Sequence, residues 1–283
     1  MHRIAFYGKG GIGKSTIATG VSIALAQQGL RVLHVGCDPK ADSTLVLTRG
    51  QPQRTVLGQS TTIDEELLSV DDLIMPGLHG IDCIEAGGPA AGIGCGGQAV
   101  VGAFELLEEL EVFDPDRYDV VIFDVLGDVV CGGFAMPMRT DGLTKVAIVV
   151  SEEMMAAFAA NNIARACHRF ADEGLALTGL VANLRDPDAD TAPLERFADA
   201  IGTRILRVLP RDARVGRAEL LRRSILDHAP DAPVAVALRE LAAELLAMDP
   251  ASCPVPQPLD GDRVREVMRG PLDLEELEEE GVA

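Results

Sequence analysis

The segment Gly8-Lys9-Gly10-Gly11-Ile12-Gly13-Lys14-Ser15-Thr16 directly follows the apolar run Arg3-Ile4-Ala5-Phe6-Tyr7. It fits the G-x-x-x-x-G-K-[ST] phosphate loop in the setting that loop needs, a short strand before it and a helix after it. Its glycines let backbone N–H groups turn inward at a helix N-terminus, which makes a nest for triphosphate oxygens. Lys14 is then placed to reach the β/γ-phosphates and the Ser15 hydroxyl to complete a Mg²⁺ shell. Lys9 is a second cation in the same loop. Two readings of it stand side by side: a solvated lysine, or a cation that serves a nucleotide across a subunit interface, as a finger in trans does.

Two further groups of residues could do chemistry. Asp38 and Asp42 follow the apolar stretch Arg31 to Gly36, and Asp124 closes the apolar stretch Tyr118 to Phe123. In an open α/β sheet, ligands lie beyond the carboxyl ends of the strands, so these carboxylates arrive on the side of the phosphate loop. An apolar strand ending on Asp places a carboxylate near Mg²⁺, whereas Asp38 and Asp42 could equally cap their loop through Asx turns. Six cysteines are too few in a chain this long for a disulfide framework. Cys37, Cys83, Cys167 and Cys253 read as buried free thiols. Cys95 and Cys131 sit in glycine-rich loops instead, and two ligands per chain suggest either a half-site completed by a two-fold mate or two unrelated reactive thiols.

The elements that must position these groups alternate along the chain. A helix with Ile17, Ala18, Val21, Ala24 and Leu25 on one face ends at Gly29. After the strand at 31–36, residues 50 to 75 read as a polar connection with a short helix near Asp64 to Val70. A strand lies within Gly80 to Ala86, a glycine loop runs from Gly87 to Gln98, and a helix spans Val100 to Leu110. Further strands are expected over Lys145 to Val150, Leu177 to Asn183 and Ile205 to Leu209, with helices over Glu153 to Phe170 and near Leu194 to Ala200. This alternation predicts a doubly wound, mostly parallel α/β sheet of the phosphate-loop NTPase type. The expected domain covers residues 1–250, and a Pro-rich then acidic tail follows over 251–283.

Composition narrows the partners. The chain of 283 residues carries a formal charge of −19, which disfavours nucleic acid and anionic membranes. No apolar run approaches a bilayer span and no leader pattern opens the sequence, so a cytoplasmic protein is expected. Trp is absent and aromatics make up 4%, so the core is to be built from Val, Ile, Leu and Ala, as suits a buried parallel sheet.

Taken together, the phosphate loop with Lys9, the stretch Gly36 to Thr44, the loop Gly94-Cys95-Gly96-Gly97, Asp124 through Gly133, Glu153-Met154-Met155 and Ala159-Ala160-Asn161-Asn162-Ile163 resemble the nitrogenase iron protein (dinitrogenase reductase) family. The resemblance covers the chain up to about residue 250. It implies a homodimer with one [4Fe-4S] cluster held by Cys95 and Cys131 of both subunits, one MgATP per subunit, and transfer of single electrons to a catalytic partner. It also implies that Lys9 reaches the other subunit's nucleotide, that Asp38 and Asp42 form a first switch, and that Asp124, Gly127 and Asp128 form a second. Asn183 and Pro210-Arg211-Asp212 match the purine-binding positions, and ferredoxin or flavodoxin is the implied electron donor. The chain departs from the family at Gln98, where an arginine that serves partner docking and ADP-ribosylation is usual, and at Glu152, where glycine is usual. A nitrogenase-like partner, such as that of the methylthio-alkane reductase system, therefore stands beside nitrogenase itself. The rival class is a related phosphate-loop ATPase acting as a spatial organiser or scaffold without a permanent cluster.

Overall fold

The computed structural model describes residues 1–51, 54–63, 67–89, 94–127, 136 and 144–270. Its centre is a sheet of β1 (His2–Tyr7), β2 (Val32–Gly36), β3 (Met75–Pro76), β4 (Asp82–Glu85), β5 (Val120–Asp124), β6 (Thr144–Val150), β7 (Leu175–Asn183) and β8 (Ile205–Leu209). The spatial order is β3-β4-β2-β5-β1-β6-β7-β8. Every pairing is parallel except β3 with β4. The expected doubly wound, mostly parallel sheet is therefore observed. Strands β2, β5 and β6 are buried along their whole length, which is why they read as largely apolar runs, rich in Val, without a regular polar alternation.

The chain leaves β1 toward β2 on one side, while β6 lies on the other. That reversal opens a crevice at the carboxyl end of β1, where such folds take their ligands. The phosphate loop fills this place and feeds α1 (Lys14–Ala26). Helix α1 is buried nearly all round, from Ile17 to Leu25, because α9 (Pro233–Ala247) covers the side turned away from the sheet. A one-faced pattern therefore understates how deeply this helix is set.

Between residues 50 and 75 two short helices are described, on either side of the stretch where one is expected. Helix α2 (Val56–Ser60) is capped by the Thr55 hydroxyl, which accepts from Gly58 N at 3.0 Å. Helix α3 (Val70–Leu73) begins at Ser69, whose N–H and hydroxyl both donate to Asp72 Oδ2, at 3.0 and 2.6 Å. Residues 64–66 of the expected helix lie outside the described residues. Helix α4 (Gly96–Glu109) starts four residues earlier than expected, with Cys95 as its N-cap residue. Helices α5 (Met154–Arg169), α6 (Ala192–Ala200), α7 (Ala213–Leu220) and α8 (Ile225–His228) complete the layers up to α9.

The chain does not leave this body at residue 250. The side-chain amide of Asn161 on α5 donates to Leu259 O and accepts from Leu259 N, at 2.8 Å each, and Gln257 N donates to Ile201 O at 2.8 Å. Helix α10 (Gly261–Arg269) then packs on α5 and α6 with Val264 and Met268 buried. Val264, Val267 and Met268 recur at i, i+3 and i+4 within a charged sequence, a helical signal one turn long that the Pro-rich stretch before it sets apart from the domain. The acidic stretch Leu272 to Gly281 lies outside the described residues.

Candidate functional site: a nucleotide crevice and an exposed cysteine

The loop after β1 takes the shape its glycines permit. Gly8, Gly11 and Gly13 have φ of 145°, 74° and 100°, a region that L side chains rarely adopt. Space also selects them: a Cβ on Gly8 would meet Val149 O at 2.3 Å, and one on Gly13 would meet Asn183 Nδ2 at 2.5 Å. Asn183, at the end of β7, donates to Ile12 O at 2.7 Å. Lys14 is buried, 7% exposed, and its Nζ donates to Lys9 O at 3.3 Å. The motif lysine is thus already folded back over its own loop.

Asp124 ends β5 beside that lysine and is 4% exposed. Burial raises its pKa, against which the hydroxyls of Ser15 and Ser43 and the charge of Lys14 hold it down. Its Oδ2 accepts from Ser43 Oγ at 2.6 Å, while Oδ1 is buried with no hydrogen-bond partner. A buried carboxylate oxygen left unpaired is costly. With the Ser15 hydroxyl and the Lys14 ammonium on the same side, this donor set fits a hard cation and phosphate oxygens.

Asp38 and Asp42 both hold Lys40, at 3.2 and 3.8 Å, and the hydrogen bond that Lys40 donates to Asp38 is the main reason that the Lys40 pKa is raised. Lys9 forms an ion pair with Glu153 at 3.6 Å, and Glu153 also meets Arg185 at 3.4 Å. Glu152 accepts from the backbone N–H groups of Arg185 and Asp186, at 3.1 and 2.9 Å. The departure at Glu152 therefore ties the end of β6 to the turn after β7.

On the other side of the loop, Gly11, Gly13, Asn183, Pro210, Arg211 and Asp212 line a cavity of about 450 Å³. Asp212 caps α7 through Arg214 N, and its carboxylate pairs with the Arg214 guanidinium at 2.6 Å. The four expected groups, the phosphate loop 8–16, the carboxylates at 38, 42 and 124, Asn183 and the 210–212 segment, thus share the carboxyl edge of the sheet. Asp128 and Cys131 lie outside the described residues.

Cys95 is exposed at the N-terminus of α4, after Gly94 with φ 74°. The loop that carries it leaves the carboxyl end of β4, on the same edge as the phosphate loop. Cys37, Cys83 and Cys167 are buried, and burial pushes each of their thiols up. Cys253 is half-buried, its Sγ 3.7 Å from Met248 Sδ. Among the described residues, no three His, Cys, Asp or Glu side chains gather into a metal site.

The sequence reading did not single out Ser43, His34 or Glu85. All three are buried polar residues, Ser43 and Glu85 at this edge and His34 in the middle of β2, and Glu85 Oε1 accepts from both the N–H and the hydroxyl of Thr44, each at 2.7 Å. The available signal was a His and a Glu inside or at the end of otherwise apolar strands.

This sheet order, loop and buried lysine define a phosphate-loop NTPase. Its described fold resembles the cell division ATPase MinD of Pyrococcus furiosus, with a TM-score of 0.67 and 25% identity over 87% of this chain and 98% of that one. A ParA family ATPase from Chlorobium tepidum TLS gives a TM-score of 0.66 at 20% identity, over 86% of this chain and 98% of that one, and shows the fold alone. Residues 2–271 match the family of 4Fe-4S iron sulfur cluster binding proteins, NifH/frxC. The chain is 40% identical over 275 residues to the nitrogenase iron protein of Methanospirillum hungatei JF-1, covering 96% of each. The chain belongs to the NifH/frxC family. Membership brings a [4Fe-4S] cluster and MgATP as its cofactors. The match runs about twenty residues beyond the stretch whose motifs carry the resemblance and takes in α10.

Proposed function

We propose that this protein is an ATP-dependent reductase component. As a homodimer it passes single electrons from a bridging [4Fe-4S] cluster to a nitrogenase or nitrogenase-like catalytic component, coupled to MgATP hydrolysis. The observation that carries this reading is an exposed cysteine, Cys95, on the same sheet edge as the buried Lys14 and Asp124. Cys95 and Cys131 from each of two chains would supply the four thiolates that such a cluster takes. The cluster supplies a store for one electron at a time.

The chain's own residues do the rest. Lys14 and the loop N–H groups bind the phosphates, and Ser15 with Asp124 holds the metal side. Asn183 and the 210–212 segment form one wall of the cavity for the base. Asp38 and Asp42, which here share Lys40, must release it before either can orient a water. Lys9, paired with Glu153 in the single chain, needs only to give up a surface ion pair, of little energetic weight, to reach across a dimer. A ferredoxin or flavodoxin is the proposed donor. The likeness to MinD supports the rival reading of a spatial organiser, and iron separates the two.

The anaerobic protein tests this reading through chelation of its cluster iron. We expect MgATP to raise the chelation rate severalfold, and the rise to vanish in Asp124→Ala. Equal rates with and without MgATP in the unaltered protein would contradict the coupling.

A further inference from the structure

A line of buried hydrogen bonds runs from α1 to Asp124. Ser22 Oγ lies 2.8 Å from His34 Nδ1, His34 Nε2 lies 2.9 Å from Ser43 Oγ, and Ser43 Oγ lies 2.6 Å from Asp124 Oδ2. Ser22 and His34 are fully buried and Ser43 is 3% exposed. The line joins the helix that carries Lys14 and Ser15, the middle of β2, the loop that carries Asp38 and Asp42, and the end of β5.

Its polarity follows from the donors available. The Asp124 carboxylate can only accept, so the single Ser43 proton goes to it. Ser43 Oγ must then accept from His34, which puts the ring proton on Nε2. Burial lowers the His34 pKa to about 3, so the ring is neutral and Nδ1 is a bare acceptor for the Ser22 hydroxyl. Every donor and acceptor on the ring is used, and only one tautomer satisfies them all.

A serine hydroxyl is free to rotate among staggered positions. The Nε2–H donor removes that freedom from Ser43 and commits its proton to Asp124 Oδ2, which leaves Oδ1 as the open oxygen. We propose that His34 is a positioning residue of the nucleotide site, which sets Asp124 for the metal-bound form of ATP through Ser43. The inference rests on the reading of this crevice as a MgATP site. It adds to that reading a residue that touches neither nucleotide nor metal.

The test compares His34→Gln, His34→Asn and His34→Leu by binding of a fluorescent ATP analogue, with saturating Mg²⁺ and with EDTA. Gln keeps an N–H near the place of Nε2, Asn can still accept from Ser22 but is too short for Ser43, and Leu keeps bulk alone. In His34→Leu and His34→Asn we expect the affinity gained from Mg²⁺ to fall about fivefold, the weight of one hydrogen bond between neutral groups, with binding in EDTA unchanged. His34→Gln should keep most of the gain. A merely structural role would weaken binding in both conditions alike and would not be rescued by Gln. A second measurement needs no variant: ¹⁵N-histidine NMR of the wild-type protein at neutral pH should show His34 as the Nε2–H tautomer. An Nδ1–H tautomer or an imidazolium would overturn the proposal, as would a full Mg²⁺ gain in His34→Leu. Wild-type protein with no Mg²⁺-dependent binding at all would overturn the MgATP reading and this inference with it.

Discussion

Lys14 and Lys9 stand five residues apart in one loop and differ in kind. Lys14 is buried against its loop, whereas Lys9 is about one-third exposed and paired with Glu153. Lys14→Gln removes the cation nearest the terminal phosphates, and we expect ATP affinity to fall by about a hundredfold or more. Lys9→Gln should leave affinity in the isolated chain within about threefold, since an exposed pair contributes little, and should slow hydrolysis in the assembled complex. Equal losses of affinity, read by calorimetry, would contradict a trans role for Lys9. Glu85 carries a prediction in pH. Burial raises its pKa to about 8, with the Asp124 and Asp42 charges adding to the rise and the Thr44 hydrogen bonds opposing it. The folded state therefore holds a proton that the unfolded state loses above pH 4.5. Its contribution to stability is full below that pH and is lost as pH rises toward 8, by at most about 1.4 kcal/mol per pH unit. Glu85→Gln lacks this loss, so the Tm of the variant should gain on that of the wild type between pH 5 and 9. Parallel Tm profiles would show that Glu85 does not titrate in this way.

Elements differ in how clearly the sequence announces them. The strands that build the crevice were legible because burial on both faces makes them largely apolar runs. The phosphate loop was legible because its chemistry fixes both residue types and spacing. The short helices α2 and α3 were not, since each rests on a cap and one or two turns, with no periodic face to read. Helix α10 does carry an apolar face, Val264, Val267 and Met268, but it is one turn long and follows a Pro-rich stretch that reads as the end of the domain. The buried Val264 and Met268, with the bonds from Asn161 and Arg196 to the segment before and within it, close the outer side of α5 and α6. Val264→Asp puts an unpaired charge into that contact. We expect a loss of a few kcal/mol in denaturant unfolding, and truncation after Pro250 should be at least as damaging. Unchanged stability in both would mean that this segment is an ornament on a domain complete at residue 250.

For the whole molecule, the motifs legible in sequence led to the family that the matches across residues 2–271 establish. The buried line through His34 was not legible, because its meaning depends on Ser43, itself held by His34, meeting Asp124, 81 residues further along the chain. Gln98 is exposed on α4, three residues beyond Cys95, where the resemblance leads one to expect an arginine. No helix among the described residues is long and apolar enough to cross a membrane. The central claim is that two chains share one cluster through Cys95 and Cys131. Its most direct measurement is iron and acid-labile sulfide per dimer after anaerobic reconstitution, with the electron paramagnetic resonance spectrum of the reduced protein. The expected result is roughly four irons per two chains and a reduced-cluster signal, both lost in Cys95→Ser and in Cys131→Ser and retained in Cys37→Ser and Cys167→Ser. A colourless wild-type dimer without iron, or a cluster that survives the loss of Cys95, would contradict it.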